Sequence, residues 1–262
     1  MLILRRYPDY VLRFAPVLLA LLAPMAFAQD AFSQMQDLLD RGYYNSAAQL
    51  GGPELIKTYP DRSDAHYLYA EALYLTGNLS AARTQLDAAE KLTGDKPDPR
   101  LQHLDGLLTA AGGDPGSALA SLQAAFSQTH GYTYAMDWGR AAWQAGAFDQ
   151  ALSAFQAAAD TDQGKSTMWP LLDQGRILIY LGRYQDAIQK LNGAIDVFEA
   201  TDPGGARPGS PAYVEAFYRL GQVYEKLGNV NQAETNYRSA RTADPNYAPA
   251  IDALDRLSRS FP

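Results

Sequence analysis

The chain has 262 residues, 47% of them hydrophobic, which supplies a packed core and excludes a disordered polymer. It has no cysteine, so a disulfide framework, a thiolate nucleophile and a thiolate metal site are excluded. The formal net charge is −7, and without residues 1–28 it becomes −9, from 19 basic against 28 acidic side chains; such a surface repels phosphate backbones, so no nucleic acid partner is expected.

At the N-terminus, Arg5, Arg6 and Arg13 precede an apolar run from Phe14 to Ala28 that ends in Ala26, Phe27 and Ala28. Charge, apolar stretch and a small-x-small tripeptide, in that order, form a secretory leader over 1–28, cleaved between Ala28 and Gln29. The run, about 15 residues, is shorter than the roughly 20 that span a bilayer, and Pro16 and Pro24 weaken it as a permanent helix. Retention as an anchor is the alternative. No cysteine follows to accept a lipid. A periplasmic or secreted product with no membrane span after cleavage is therefore expected.

From there on, Ala, Leu and Gln dominate with few runs of Val or Ile, which favours helix over strand. One pattern, Gly followed by Ala five positions later, recurs six times: Gly42/Ala47, Gly77/Ala82, Gly113/Ala118, Gly146/Ala151, Gly182/Ala187 and Gly228/Ala233. The glycines are 35, 36, 33, 36 and 46 residues apart, a period that belongs to stacked helical hairpins. Gly at the end of a first helix adopts the left-handed conformation that ends it. Asn45, Ser80, Asp149 and Asn231, three residues later, are expected to cap the second helix. Pairs such as Gly221 with Ala240 would let two helix axes approach, with Phe217, Tyr224 and Tyr237 filling the space between turns.

These residues resemble the tetratricopeptide repeat family, whose unit is an antiparallel helix pair of 34 residues. The last repeat carries Phe217, Leu220, Gly221, Tyr224, Gly228, Ala233, Tyr237, Ala240 and Pro245 at the family's signature positions. The resemblance implies an all-α, right-handed α-α superhelix with repeats near 28–61, 63–96, 99–131, 132–165, 168–201 and 214–247. The first is degenerate, keeping Leu38, Gly42, Ala47 and Pro60. A charged helix over 248–260 would close the open end of the stack. The longest interval holds an insertion over 201–212, rich in Pro and Gly, read as a surface loop in preference to a binding loop.

No chemistry announces itself. His66, His103 and His130 lack metal-ligand spacing, and no phosphate loop, dinucleotide fingerprint or nucleophile elbow occurs, so neither cofactor nor catalysis is expected. Asn78 with Ser80 forms a glycosylation sequon, but a place in the repeat turn is preferred for both. In proteins of the resembled family, repeat positions 2, 5, 9 and 12 line a concave groove that holds a protein or peptide. Here that mapping nominates Tyr67, Tyr74, Met136, Arg140, Trp143, Trp169, Arg176 and Tyr218. Trp143, Trp169, Arg140 and Arg176, at matching heights in adjacent repeats, suggest a site for a peptide with an apolar side chain and an acidic group. Two readings stand level: these groups contact a partner, or the tryptophans pack between repeats and the arginines pair with local acids. The Lys and Asn positions of the family's carboxylate clamp are not matched. The implied function is a non-catalytic scaffold in envelope assembly, secretion or cell-wall processes, with a self-associating structural protein and an enzyme or enzyme accessory subunit as alternatives.

Overall fold

The computed structural model describes residues 30–94, 96–201 and 210–260. The leader over 1–28, its cleavage point between Ala28 and Gln29, and residues 202–209 of the insertion lie outside the described residues.

Among the described residues the fold is all-α, a superhelix of stacked helix pairs with no strand. The first pair is α1 (Ala31–Asp40) against a chain that runs from α2 (Tyr44–Ser46) through a π segment (Ala47–Gly51) into α3 (Gly52–Thr58). Next come α4 (Ser63–Leu75) with α5 (Leu79–Thr93), and α6 (Pro99–Ala111) with α7 (Pro115–Thr129). Then follow α8 (Tyr132–Gln144) with α9 (Phe148–Asp160), and α10 (Trp169–Tyr180) with α11 (Tyr184–Thr201). The stack ends with α12 (Pro211–Lys226), α13 (Val230–Ala243) and a lone α14 (Ala248–Ser260).

Each hairpin turns on one glycine. Gly42, Gly77, Gly113, Gly146, Gly182 and Gly228 have φ between 71° and 100°, a left-handed region that other residues enter only with strain. Each turn closes two hydrogen bonds: Gly77 N–H donates to Tyr74 O (2.9 Å) and Asn78 N–H to Leu73 O (2.9 Å), and Gly228 with Asn229 repeats the arrangement on Glu225 and Tyr224. The next helix then starts at once, so the caps lie one residue after the glycine rather than three. Asn78, Asp114 and Asn229 accept from the N–H groups of Ala81, Ser117 and Gln232 at 3.3, 3.0 and 3.3 Å. The proposed caps Asn45, Ser80, Asp149 and Asn231 are already inside α2, α5, α9 and α13, and Asn78 of the sequon is itself a cap.

Where paired helices cross, glycine makes room for a large side chain. A Cβ on Gly106, Gly139, Gly175 or Gly221 would lie 2.5, 2.7, 2.7 or 2.4 Å from Leu122, Phe155, Leu191 or Tyr237. The group opposite Gly221 is thus the Tyr237 ring, while Ala240 packs with Val214 and Ala250 of the next layer. Phe155 and Leu191 have no exposed surface, and each such side chain contributes about 1.5–3 kcal/mol of burial. In the first pair the Tyr69 ring occupies the place a Cβ on Gly52 would take, 2.0 Å from it, where the π segment joins α3. The insertion is shorter than its composition implies: Thr201 ends α11, Ser210 caps α12 by accepting from Tyr213 N–H (3.2 Å), and Pro211 and Ala212 belong to α12. At the far end α14 buries Ala253 and Leu257 against Ala233 and Tyr237.

Candidate partner-binding groove

The first helices of successive repeats approach one another, α4 with α6, α6 with α8 and α10 with α12. The second helices of successive repeats approach one another less closely. On α4, burial raises the half-buried Tyr74 hydroxyl above its ordinary pKa, with a smaller push from the Asp137 charge. This row is therefore the inner, concave side of the curve.

At its N-terminal half the lining is aromatic and polar. Tyr67 is half-buried, with the Arg100 guanidinium 5.2 Å from its ring centroid, and desolvation raises its pKa. One turn on, burial raises the pKa of Glu71 against the opposing pull of His103 and of the Tyr67 hydroxyl. His103 Nε2 lies 3.0 Å from Asp137 Oδ2, and its ring is 4.4 Å from that of Tyr134. Arg140 Nη1 donates to the other Asp137 oxygen at 3.0 Å and leaves 48% of its side chain exposed.

Further along, Arg176 sits between two acids. Its Nε donates to Glu215 Oε1 at 3.0 Å, its Nη1 reaches Asp173, and only 22% of the side chain is exposed. Asp173 is 5% exposed, and burial raises its pKa against the pull of Arg176. Burial also works to raise Glu215, but the hydrogen bonds and charges of Arg176 and Arg219 outweigh it and lower its pKa. Arg219 donates to Glu215 (3.1 Å) and to Gln222 Oε1 (3.0 Å), and Gln222 Nε2 donates to the Tyr218 hydroxyl (3.1 Å). Tyr218 is half-buried between Tyr237 and Tyr247, at 5.6 and 5.5 Å.

The nominated residues thus divide. Met136 is 1% exposed and belongs to the core with Ile177 and Phe155, not to the groove; having no polar tip, its side chain enters the seam between α8 and α10. Trp169 packs half-buried against the clusters of both neighbouring repeats, and Trp143 against that of its own. Arg176 is tied to its acids, whereas Arg140 keeps exposed surface. The nomination missed Asp137, Asp173 and Arg219, all at repeat position 6. The signal was present, because position 6 lies three residues before position 9 on the same helix face. Cations and acids alternate along the wall, so the groove is polar yet close to neutral. Among the described residues no cluster of three His, Asp or Glu side chains could hold a metal ion, and no helix is long and apolar enough to cross a membrane.

Family models described as tetratricopeptide repeat match residues 38–108, 106–166 and 172–248. The heat shock protein STI1 of Saccharomyces cerevisiae is 26% identical over 124 residues, 47% of this chain but 18% of that protein, so the chain spans under a fifth of that relative. Among solved structures, PilW, titled a widely conserved type IV pilus biogenesis factor, superposes with a TM-score of 0.68 at 14% identity, over 86% of this chain and 96% of that one. Pseudomonas aeruginosa pilF gives 0.62 at 15% identity over 86% and 96%. YrrB, titled a TPR protein with an unusual peptide-binding site, gives 0.60 at 17% identity over 78% and 97%. Proteins of this kind bind protein or peptide partners, and the matched repeats cover most of the sequence: the chain belongs to the tetratricopeptide repeat family.

Proposed function

We propose that the protein is a non-catalytic scaffold, exported by its leader, that holds a peptide of a partner protein in the concave groove. The observation that supports this reading best is the approach of α6 and α8, where His103 Nε2 lies 3.0 Å from Asp137 Oδ2. It gathers His103, Asp137 and the half-exposed Arg140 on one stretch of wall, with Trp143 one turn beyond Arg140 on α8 and Tyr74 on the inner helix α4. Half-buried aromatics offer apolar area, and the exposed arginine offers donors; these are the residue types that carry binding energy at protein interfaces. A peptide carboxylate would share Arg140 with Asp137, whereas Arg176 has no such role while Asp173 and Glu215 hold it. The Lys and Asn positions of the family's carboxylate clamp are not matched, so the proposed mode is not that clamp.

Envelope assembly, secretion or a cell-wall process is the setting proposed, on the strength of the leader; the fold shared with a pilus biogenesis factor names one such process to test. Affinity capture from an envelope fraction with wild type and an Arg140→Glu, Trp143→Ala variant tests the groove. Loss of the partner from a variant that melts within a few degrees of wild type supports it, and undiminished capture contradicts it. For the address, N-terminal sequencing of the exported protein should begin at Gln29; a start at Met1 refutes cleavage.

A further inference from the structure

At repeat positions 2, 5, 6, 9 and 12, which line the concave wall, repeats two to six carry the acids Asp64, Glu71, Asp137, Asp173, Glu215 and Glu225. All but one have a cation at hydrogen-bond distance. Arg62 Nε donates to Asp64 at 3.0 Å, Arg140 to Asp137 at 3.0 Å, and Arg256 Nη2 to Glu225 at 2.8 Å, while Arg176 lies between Asp173 and Glu215. Glu71 has no such partner among the described residues.

The basic groups whose charge it feels are Arg100 and His103, and both are held elsewhere. Arg100 Nη2 donates to Asp98 at 2.7 Å and its Nε to the same carboxylate at 3.2 Å, and His103 Nε2 lies 3.0 Å from Asp137. Nor is the half-buried Glu71 carboxylate sealed in. Among the described residues the unpartnered side-chain atoms closed to water are Trp138 Nε1 and Gln174 Nε2, so the oxygens of Glu71 stay open to the groove. A carboxylate drawn partly out of water without a cation is disfavoured, and an incoming cation relieves it. Two tyrosines share its helix face, Tyr67 four residues before and Tyr74 three after. A tyrosine ring attracts a cation to its face; Arg100 already lies over that of Tyr67 at 5.2 Å.

We propose that Glu71 sets the specificity of the groove by pairing with the ammonium or guanidinium of a Lys or Arg side chain in the partner peptide, whose stem rests on Tyr74. This rests on the groove reading above and adds the sign of one ligand group to it. Inner helices of adjacent repeats pack about 8–10 Å apart, so Arg140, two repeats on, stands roughly 16–20 Å from Glu71. At about 3.3 Å per extended residue, a basic side chain on Glu71 and an acidic one on Arg140 would be some five or six residues apart (about the same span).

The test is isothermal titration of the purified protein with acetyl-Ala-Lys-Ala-Leu-Ala-Leu-Glu-Ala-amide and its counterparts carrying Arg or norleucine in place of Lys. Norleucine keeps the stem and removes the charge. The Lys and Arg peptides should bind about tenfold more tightly than the norleucine peptide, as one hydrogen-bonded charge is worth. Glu71→Gln should abolish that difference by weakening the Lys and Arg peptides alone. It should melt at the wild-type temperature or above, since an uncompensated carboxylate is gone. Arg140→Glu should weaken all three peptides and preserve their ratio. If Arg140→Glu weakens binding but the three peptides bind alike, or Glu71→Gln keeps the preference, the Glu71 inference is overturned and the groove reading stands. A Glu71→Gln variant that melts below wild type overturns it too, because the carboxylate is then held by the fold. If a preference for Lys and Arg needs Glu71 but Arg140→Glu changes nothing, the Glu71 subsite holds and the role given to Arg140 falls. Binding by none of the peptides overturns both.

Discussion

A methyl group added at Gly139 would lie 2.7 Å from Phe155, a ring with no exposed surface and no room to retreat. Gly139→Ala should therefore destabilise the protein by about 1–3 kcal/mol in urea unfolding. Gly193 is the contrast: it lies inside α11, and its added Cβ would meet only Leu171 at 3.4 Å. Gly193→Ala should stabilise by about 0.5–1 kcal/mol, because alanine loses less backbone entropy in a helix. The two groove arginines separate in the same assay. Arg176→Ala strands the buried Asp173 and should destabilise by about 3–5 kcal/mol, whereas Arg140→Ala, at an exposed pair, should stay within about 1 kcal/mol of wild type. An Arg176→Ala variant with unchanged stability would contradict the ion-pair assignment.

Helix by helix, the turn glycines were legible because a left-handed residue between two helical runs leaves glycine little competition. The caps were not, since that turn is one residue long and Ser80 or Asn231 satisfies a capping pattern equally well by type alone. The π segment was equally hidden: it answers to the packing of Tyr69 on Gly52, a contact between repeats rather than a local preference. At the other end, α14 is held by one latch as well as by its apolar face. Arg256 Nη2 donates to Glu225 Oε2 at 2.8 Å, and Tyr237 donates to the same oxygen at 2.9 Å. The bond from Arg256 keeps the Glu225 carboxyl below its ordinary 4.5. A lowered pKa means the latch is in force above 4.5 and is lost as pH falls through the folded value below it. Hydrogen-exchange protection in α14, taken relative to the intrinsic rate at each pH, should fall on acidification before that in α12 and α13, and Glu225→Gln should bring the same loosening to neutral pH. Unchanged α14 protection in that variant would show that the apolar face alone holds the helix.

Across the whole molecule, curvature brings side chains together that no single repeat reveals. Periodicity and repeat positions placed Tyr74 and Arg140 on inner helices, but only the superhelix sets His103 against Asp137 and closes Arg176 between Asp173 and Glu215. The acids at position 6 turn what reads as an arginine-rich groove into an alternating, near-neutral wall. That wall predicts partner binding with a shallow dependence on ionic strength, since neither partner is drawn in by a large field of one sign. A fall in affinity of several decades between 50 and 500 mM salt (on the order of the losses seen for highly charged interfaces) would contradict it. The most direct test of the groove uses a benzophenone side chain in place of Tyr74 on the inner face, or in place of Thr84 on the outer face of α5, irradiated in the envelope fraction. A discrete adduct from the inner probe that disappears with Arg140→Glu is the predicted result; equal yield from the outer probe, or an inner adduct indifferent to Arg140→Glu, would contradict the account.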